Sequence, residues 1–461
     1  MKIFILFLIF LHSSFAKSST FKGTQFSYAL INLDSGKMIE SKMAEKPMIL
    51  ASVSKLLTFY FALKVLGPND RFRTEIYKDG KVIEGVLKGD LYLKGYGAPY
   101  FTVNHIISLI HQIKNQGIKK VEGQFLYDSS EQWAYPRISD LGLDDQPDNP
   151  SLGALNVEFN RFQVWTKSNL IRPPLKHLVV RSKKDQAEGL RFKFGPGEKG
   201  REVWLKNSRM RMKSIENLPS KNSNLFTSSF FHYLAQLHGL NLSFPLNKKV
   251  PKRATLFAFH NGLPLIRLAS LGLEYSNNLI AEMAMLKAVK KLLKEKKTLL
   301  NSASHMHHWF KEKFPKIKWK GAQFSNASGL NLYNRMGTGA MAELLYNLKN
   351  VDFNNRSFWS LLSINGHSGG LLKRLDHPSL AYRIYGKTGS LYYVNNLAGY
   401  LMGKSGKRYA FALFSTHEKK RKLLGQLDHK KSKILRAGSS SWKRMSKRAI
   451  DKKLKRWITR L

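Results

Sequence analysis

The chain has 461 residues, 43% of them hydrophobic and 12% aromatic, so it can bury a sizeable core and is not a disordered polyelectrolyte. It carries 77 Lys plus Arg against 31 Asp plus Glu, a formal net charge of +46 that attracts polyanions and says nothing about fold. The absence of cysteine excludes disulfide staples, thiol catalysis and cysteine metal sites.

The first residues read as an export signal. Lys2 supplies the positive start, Ile3 to Leu11 the apolar stretch, and Ser14-Phe15-Ala16 a small-x-small cleavage site. The apolar run is too short to cross a bilayer. The expected mature protein therefore starts after about Ala16 and resides in the periplasm. There a basic surface meets anionic wall polymers and lipid headgroups; nucleic acid is not an expected partner.

Phe26 to Leu33 reads as a strand closed by the Asp34-Ser35-Gly36 turn, with Met38 to Ser41 as its hairpin partner. Ser52, Lys55, Leu56, Phe59 and Leu63 then fall at helical spacing, and Gly67-Pro68 stops that helix. From Arg71 the texture changes to short strands: Thr74 to Tyr77, Gly89 to Leu93 and Gly123 to Tyr127, with a helix at Ile106 to Lys114. More strands follow at Phe162 to Thr166, Leu178 to Ser182, Leu190 to Phe194 and Glu202 to Leu205, then a helix at Ser229 to Leu237. After Ala254 the chain returns to helices, the longest over Tyr275 to Lys294. Three strands are expected near the end, at Ala381 to Tyr385, Leu397 to Met402 and Tyr409 to Ser415. The domain reading is a signal over 1–16 and a split catalytic domain over 17–70 and 254–416. An α+β insertion covers 71–253, with a reduced nested part at about 160–215, and a basic tail covers 417–461.

Three short motifs carry chemistry: Ser52-Val53-Ser54-Lys55, Ser276-Asn277-Asn278 and Lys387-Thr388-Gly389. Ser52 and Lys55, three apart on a helix, share one face. A serine hydroxyl needs a base to take its proton, and Lys55 is that base if burial and a neighbouring positive charge lower its pKa. Lys387 is the candidate neighbour. Ser276 is placed to relay a proton to a leaving amine, and Asn278 to hydrogen-bond a substrate amide. Thr388 is a ligand for a substrate carboxylate, and Gly389 lets a substrate backbone approach the strand. The backbone N–H groups of Ser52 and Ser390 form an oxyanion hole. Each motif has a plainer reading. Ser52 and Ser276 suit helix caps, and Lys387-Thr388-Gly389 a turn with a chance lysine. All three in this order outweigh those readings.

In that order the motifs resemble the class C low-molecular-mass penicillin-binding proteins, which are D-alanyl-D-alanine carboxypeptidase/endopeptidases. Leu50 to Lys55 resembles the family's P-A-S-T-x-K, and Tyr275 to Glu282 its S-D-N-x-x-A helix. Gly386 to Leu391 with Asn396 to Tyr400 resembles its K-T-G strand and successor, and Gly89 to Gly95 a strand of its inserted domain. The resemblance implies an α+β penicillin-binding/serine β-lactamase-like transpeptidase fold. That fold is an antiparallel sheet with helices on both sides, carrying a large, mostly β insertion between the first and second motifs. It implies an acyl-enzyme on Ser52, peptidoglycan stem peptides and crosslinks as substrate, β-lactams as covalent inhibitors, and neither cofactor nor metal. It also matches Asp128 to an acid that contacts a diaminopimelic acid side chain. This chain departs from the family at Asn277, at Asn326-Ala327-Ser328-Gly329-Leu330 and at Gly366-His367-Ser368-Gly369-Gly370-Leu371.

Two features stand apart. His305, His307 and His308 cluster without a neighbouring carboxylate and read as surface histidines. In the tail, Trp442, Met445, Ala449, Ile450, Leu454, Trp457 and Leu461 approximate an apolar face amid Lys and Arg. Such a helix either lies on an anionic surface or packs on the catalytic sheet; the resembled fold favours packing. The competing functions are a serine β-lactamase and a non-catalytic basic protein that binds wall or lipopolysaccharide.

Overall fold

The computed structural model describes residues 21–184, 190–198, 200–427 and 431–461, so the export signal read over 1–16 lies outside the described residues. They fall into two compact units. One comprises the chain through Leu57 with Leu273–Ser276 and Ala303–Leu461; the other comprises Thr58–Gly272 with Asn277–Ser302.

The first unit is built on a six-stranded antiparallel sheet. Its order is Ser363–Ile364, Ile384–Leu391, Val394–Met402, Arg408–Thr416, Gln25–Asn32, Met38–Lys42. The N-terminal hairpin thus extends a sheet whose other strands arrive at the end of the chain. Strand periodicity sorts its side chains onto two faces. Leu30, Leu397, Phe411 and Leu413 pack with Ile450, Leu454, Trp457 and Ile458 of the helix Lys433–Arg460. On the other face Ala29 and Ile31 meet Ala342 of the helix Thr338–Asn347, and Tyr400 Oη donates to the Leu345 carbonyl at 2.9 Å.

The helix residues on the sheet recur at i, i+4, i+7 and i+8, the spacing of a single helical stripe. The tail is therefore a packed terminal helix. Its apolar stripe is spent on the sheet, while Lys452, Lys455, Arg456 and Arg460 are exposed. Trp457 Nε1 also donates to Glu40 Oε2 at 2.6 Å.

The second unit contains a six-stranded sheet. Its path is Leu246–Asn247, Phe125–Asp128, Val86–Gly95, Arg71–Ile83, Thr255–Pro264, with Lys120–Val121 added beside Val86–Gly95. Residues 255–264 are a correction to the expected return to helix. They form a strand antiparallel to Arg71–Ile83, because an edge position in a sheet satisfies their backbone where local propensity does not decide. Two three-stranded sheets follow, Leu178–Lys183/Glu202–Asn207/Phe192–Phe194 and Ile215–Pro219/Arg161–Trp165/Leu170–Arg172. The helix read at Ser229 to Leu237 starts earlier, at Ser223, where the Asn222 side chain caps it by accepting from Leu225 N.

Among the described residues no helix is long and apolar enough to cross a membrane, and no group of three His, Cys, Asp or Glu side chains can hold a metal. In the histidine cluster, His307 is half-buried edge-on to Phe324, and burial pulls it down to about 4; His308 is exposed beside Glu312.

Trp457→Ala should lower stability by about 3–5 kcal/mol in urea unfolding, because it empties the centre of the helix–sheet contact.

Candidate active site

The site begins with a strained turn. Strand Met48–Ile49 pairs with Arg335–Met336, and Ala51–Ser54 form a 3-10 turn that feeds the helix Lys55–Leu66. Ala51 sits at φ +48°, where a non-glycine residue is strained. Four hydrogen bonds fix that geometry. Asn396 Nδ2 donates to the carbonyls of Ile49 (2.7 Å) and Leu50 (2.9 Å). Leu50 N donates to the Asn334 carbonyl at 2.8 Å, and Asn334 Nδ2 to Ser54 Oγ at 3.1 Å. Gly329, at φ +76°, closes over the turn: a Cβ there would lie 1.9 Å from the Ala51 carbonyl oxygen.

Ser52 thus precedes the α-helix instead of lying on it, and the capping position of the turn is Leu50. The pairing with Lys55 survives because residues three apart eclipse in a 3-10 turn. Lys55 is completely buried, and its Nζ donates to Ser52 Oγ at 3.0 Å and to the Ser328 carbonyl at 2.8 Å.

The third motif lies on a strand, as the resemblance implies. The strand read to end at Tyr385 runs through Ile384–Leu391, and Lys387, Thr388 and Gly389 pair with Ala398, Leu397 and Asn396. Continuous register with Val394–Met402 carries it past its glycines. Lys387 and Gly389, two apart, face the same side. At Gly389 an added Cβ would come 2.7 Å from the Leu50 carbonyl oxygen and 3.0 Å from Val53 N, so the close approach it permits is to the turn bearing Ser52.

Lys387 is buried, and its Nζ donates to Ser276 Oγ at 3.0 Å and to the Thr388 carbonyl at 2.8 Å. Burial alone pulls it down to about 7. Thr388 and Ser390 alternate to the other side and stay half-buried, Ser390 Oγ lying 3.5 Å from Asn395 Oδ1. Among the described residues, strand pairing on the outer edge stops at Gly386, so from Lys387 onward that edge has no strand partner.

Ser276 lies just before the helix read over Tyr275 to Lys294, which starts at Asn278. It adopts φ +56° between the helices Leu265–Glu274 and Asn278–Leu293. Asn277 caps the second helix, its Oδ1 accepting from Ile280 N at 3.0 Å; Asn caps as well as Asp, so this departure from the family pattern is neutral in structure. Asn278 belongs to the second unit, where its Nδ2 donates to the Asp148 carbonyl at 2.8 Å.

Asp128 is buried, with Oδ1 accepting from Ser130 N at 2.8 Å, Oδ2 from Val250 N at 3.0 Å, and Lys94 Nζ at 3.9 Å from Oδ2. Its carboxylate ties two chain segments together.

The departure at Asn326 is likewise structural: its Oδ1 accepts from Gly329 N at 3.0 Å, a turn that Asn and Asp both make. Gly370, in the other altered segment, packs on the third motif, since a Cβ there would lie 2.6 Å from Thr388 Oγ1. The sequence reading missed three contributors: the Ser328 carbonyl, Asn334 and Asn396. Only Asn396 left a signal, as one of two adjacent asparagines, Asn395 and Asn396, inside the otherwise apolar run Val394–Met402.

The model of the D-Ala-D-Ala carboxypeptidase 3 (S13) family matches residues 11–173 and 224–432. The chain is 25% identical over 416 residues to the D-alanyl-D-alanine carboxypeptidase DacB of Haemophilus influenzae, covering 85% of each. Its fold is similar to the crystal structure of penicillin binding protein 4 from H. influenzae, with TM-score 0.74 and 21% identity over 87% of this chain and 93% of that one. It is also similar to a predatory endopeptidase from Bdellovibrio bacteriovorus in complex with an immunity protein, with TM-score 0.54 and 16% identity over 94% of each. The expected fold class is borne out.

Gly389→Ala should slow acylation by a fluorescent penicillin about a hundredfold, because it displaces the Ser52 turn. Lys387→Met gives a stability test. Folded Lys387 titrates at about 7 against 10.5 for an ordinary lysine, so its burial opposes folding fully below pH 7 and progressively less up to 10.5. Thermal melts from pH 7 to pH 10 should show wild type gaining on Lys387→Met as pH rises.

Proposed function

The chain belongs to the D-Ala-D-Ala carboxypeptidase 3 (S13) family, and on that premise we propose that Ser52 is the nucleophile of a periplasmic serine peptidase acting on peptidoglycan stem peptides and crosslinks. The observation that carries this reading is the buried Lys55 amine, 3.0 Å from Ser52 Oγ and anchored on the Ser328 carbonyl.

Ser52 Oγ attacks the carbonyl carbon of a D-Ala residue while Lys55 takes the hydroxyl proton. The backbone N–H groups of Ser52 and Ser390 stabilise the oxyanion. The C–N bond breaks, and the leaving amine takes a proton through Ser276, which accepts from Lys387. The leaving group is terminal D-Ala when a stem end is cut and the neighbouring stem when a crosslink is cut. Water then attacks the acyl-enzyme and frees Ser52. Lys387 holds positive charge in the site below about pH 7, and Thr388 with Ser390 offers hydroxyls to a substrate carboxylate. The unpaired edge beyond Gly386 offers backbone groups to an extended peptide. Asn278 remains the candidate donor to the substrate amide. A β-lactam mimics the D-Ala amide and acylates the same serine.

A β-lactamase would share these residues, and a basic wall-binding protein would not need them. Labelling with a fluorescent penicillin separates the three. A peptidase gives a stable covalent label on wild type and none on Ser52→Ala, and Lys55→Met slows labelling by about 10²–10⁴-fold as the base is lost. Rapid turnover of the drug without accumulation would make the chain a β-lactamase. A wild type that takes no label at all would leave the binding-protein reading standing.

A further inference from the structure

The three-stranded sheet Ile215–Pro219/Arg161–Trp165/Leu170–Arg172 of the second unit carries an apolar row that its core does not use. Ile215 pairs directly with Trp165, and Trp165 with Leu170, so the three side chains stand side by side on one face. Their exposures are 37%, 46% and 64%. The opposite face holds Phe162, Val164 and Leu218, all buried, so the core face of this sheet is already occupied. The row lies where Arg161–Trp165 ends and where Leu170–Arg172 and Ile215–Pro219 begin, at one tip of the sheet.

That tip is basic. Lys167 in the first connection, and Arg209, Arg211 and Lys213 in the loop before Ile215, are exposed, with exposed Met210 among them. The loop is sewn to the row: Thr166 N donates to the Ser214 carbonyl at 2.9 Å and Thr166 Oγ1 to the Lys213 carbonyl at 2.8 Å. The nearby acid, Glu216, is turned to the other side of its strand and paired with Arg191 at 3.0 Å. The loop and Ile215 fall between the two stretches that the family model matches.

We propose that this tip docks the protein on an anionic lipid bilayer. Trp165, Leu170 and Ile215 enter the interface, and the surrounding Lys and Arg lie at the headgroups. The charge selects a polyanion, and the apolar row selects among polyanions. Aliphatic side chains gain nothing from a sugar polymer, whereas they gain from leaving water at a lipid interface, and the two attractions add. The apolar stripe of the C-terminal helix is packed on its own sheet and is not available to do this.

The test is co-sedimentation of the purified protein with vesicles of phosphatidylglycerol and phosphatidylethanolamine, against vesicles of phosphatidylcholine, at about 0.1 M salt. Binding should require the anionic lipid. Leu170→Ser with Ile215→Ser should weaken it about tenfold or more while penicillin labelling stays unchanged, which certifies the fold. Should the double variant fail to label, Leu170→Ser alone reads the same loss at smaller amplitude. Equal binding by variant and wild type would overturn the proposal, leaving only diffuse charge attraction. No vesicle binding, but retention on purified sacculi that the same substitutions abolish, would overturn it in favour of the wall polymer.

Discussion

The catalytic half of this protein depends on one buried amine. Lys55 has no exposed surface, yet its Nζ must reach the hydroxyl of a serine three residues earlier, and the Ser328 carbonyl anchors the amine from a loop distant in sequence. A lysine in that position is tolerated only because its polar atoms are partnered. The surrounding structure serves this arrangement. Asn396 and Asn334 hold the strained Ala51 turn from two directions, and the absent side chains of Gly329 and Gly389 let two segments close on it.

A second buried lysine sits on the strand that packs against that turn. Lys387 gains two oxygen partners and loses its solvent, and the loss dominates, bringing its titration near neutrality. The strand can hold it because the sheet is covered on both faces. The long terminal helix lies on one side and Thr338–Asn347 on the other, so the site rests on a layer that cannot shift without opening a core. The same demand spends the apolar stripe of the tail. Its exposed lysines and arginines remain at the surface and add to the basic character of the chain.

The departures from the family pattern separate cleanly when read as local structure. Asn277 and Asn326 each do with an amide oxygen what a carboxylate oxygen would do, capping a helix and closing a turn. Gly370 is different, because its missing side chain leaves room for Thr388 of the third motif. Asp128 keeps its carboxylate and uses both oxygens on backbone amides of two segments distant from each other in sequence.

The sequence by itself determined the chemistry: a serine and a lysine at i and i+3, a second serine, and a lysine strand, in an order that fixes the fold class. Local pattern also marked the N-terminal hairpin and the last two strands of the central sheet, and the stripe on the last helix. Tertiary structure decided everything that rests on contacts between distant segments. The strand at 255–264 forms only because Arg71–Ile83 lies beside it, and the third motif extends as a strand because Val394–Met402 pairs with it through the glycines. The helix read from Tyr275 starts only at Asn278, which leaves Ser276 in a left-handed backbone before it, where it accepts from Lys387. The Ser328 carbonyl and Asn334 carry no pattern in a sequence, because a main-chain oxygen has no letter and a buried asparagine looks like any other until its partners are in place.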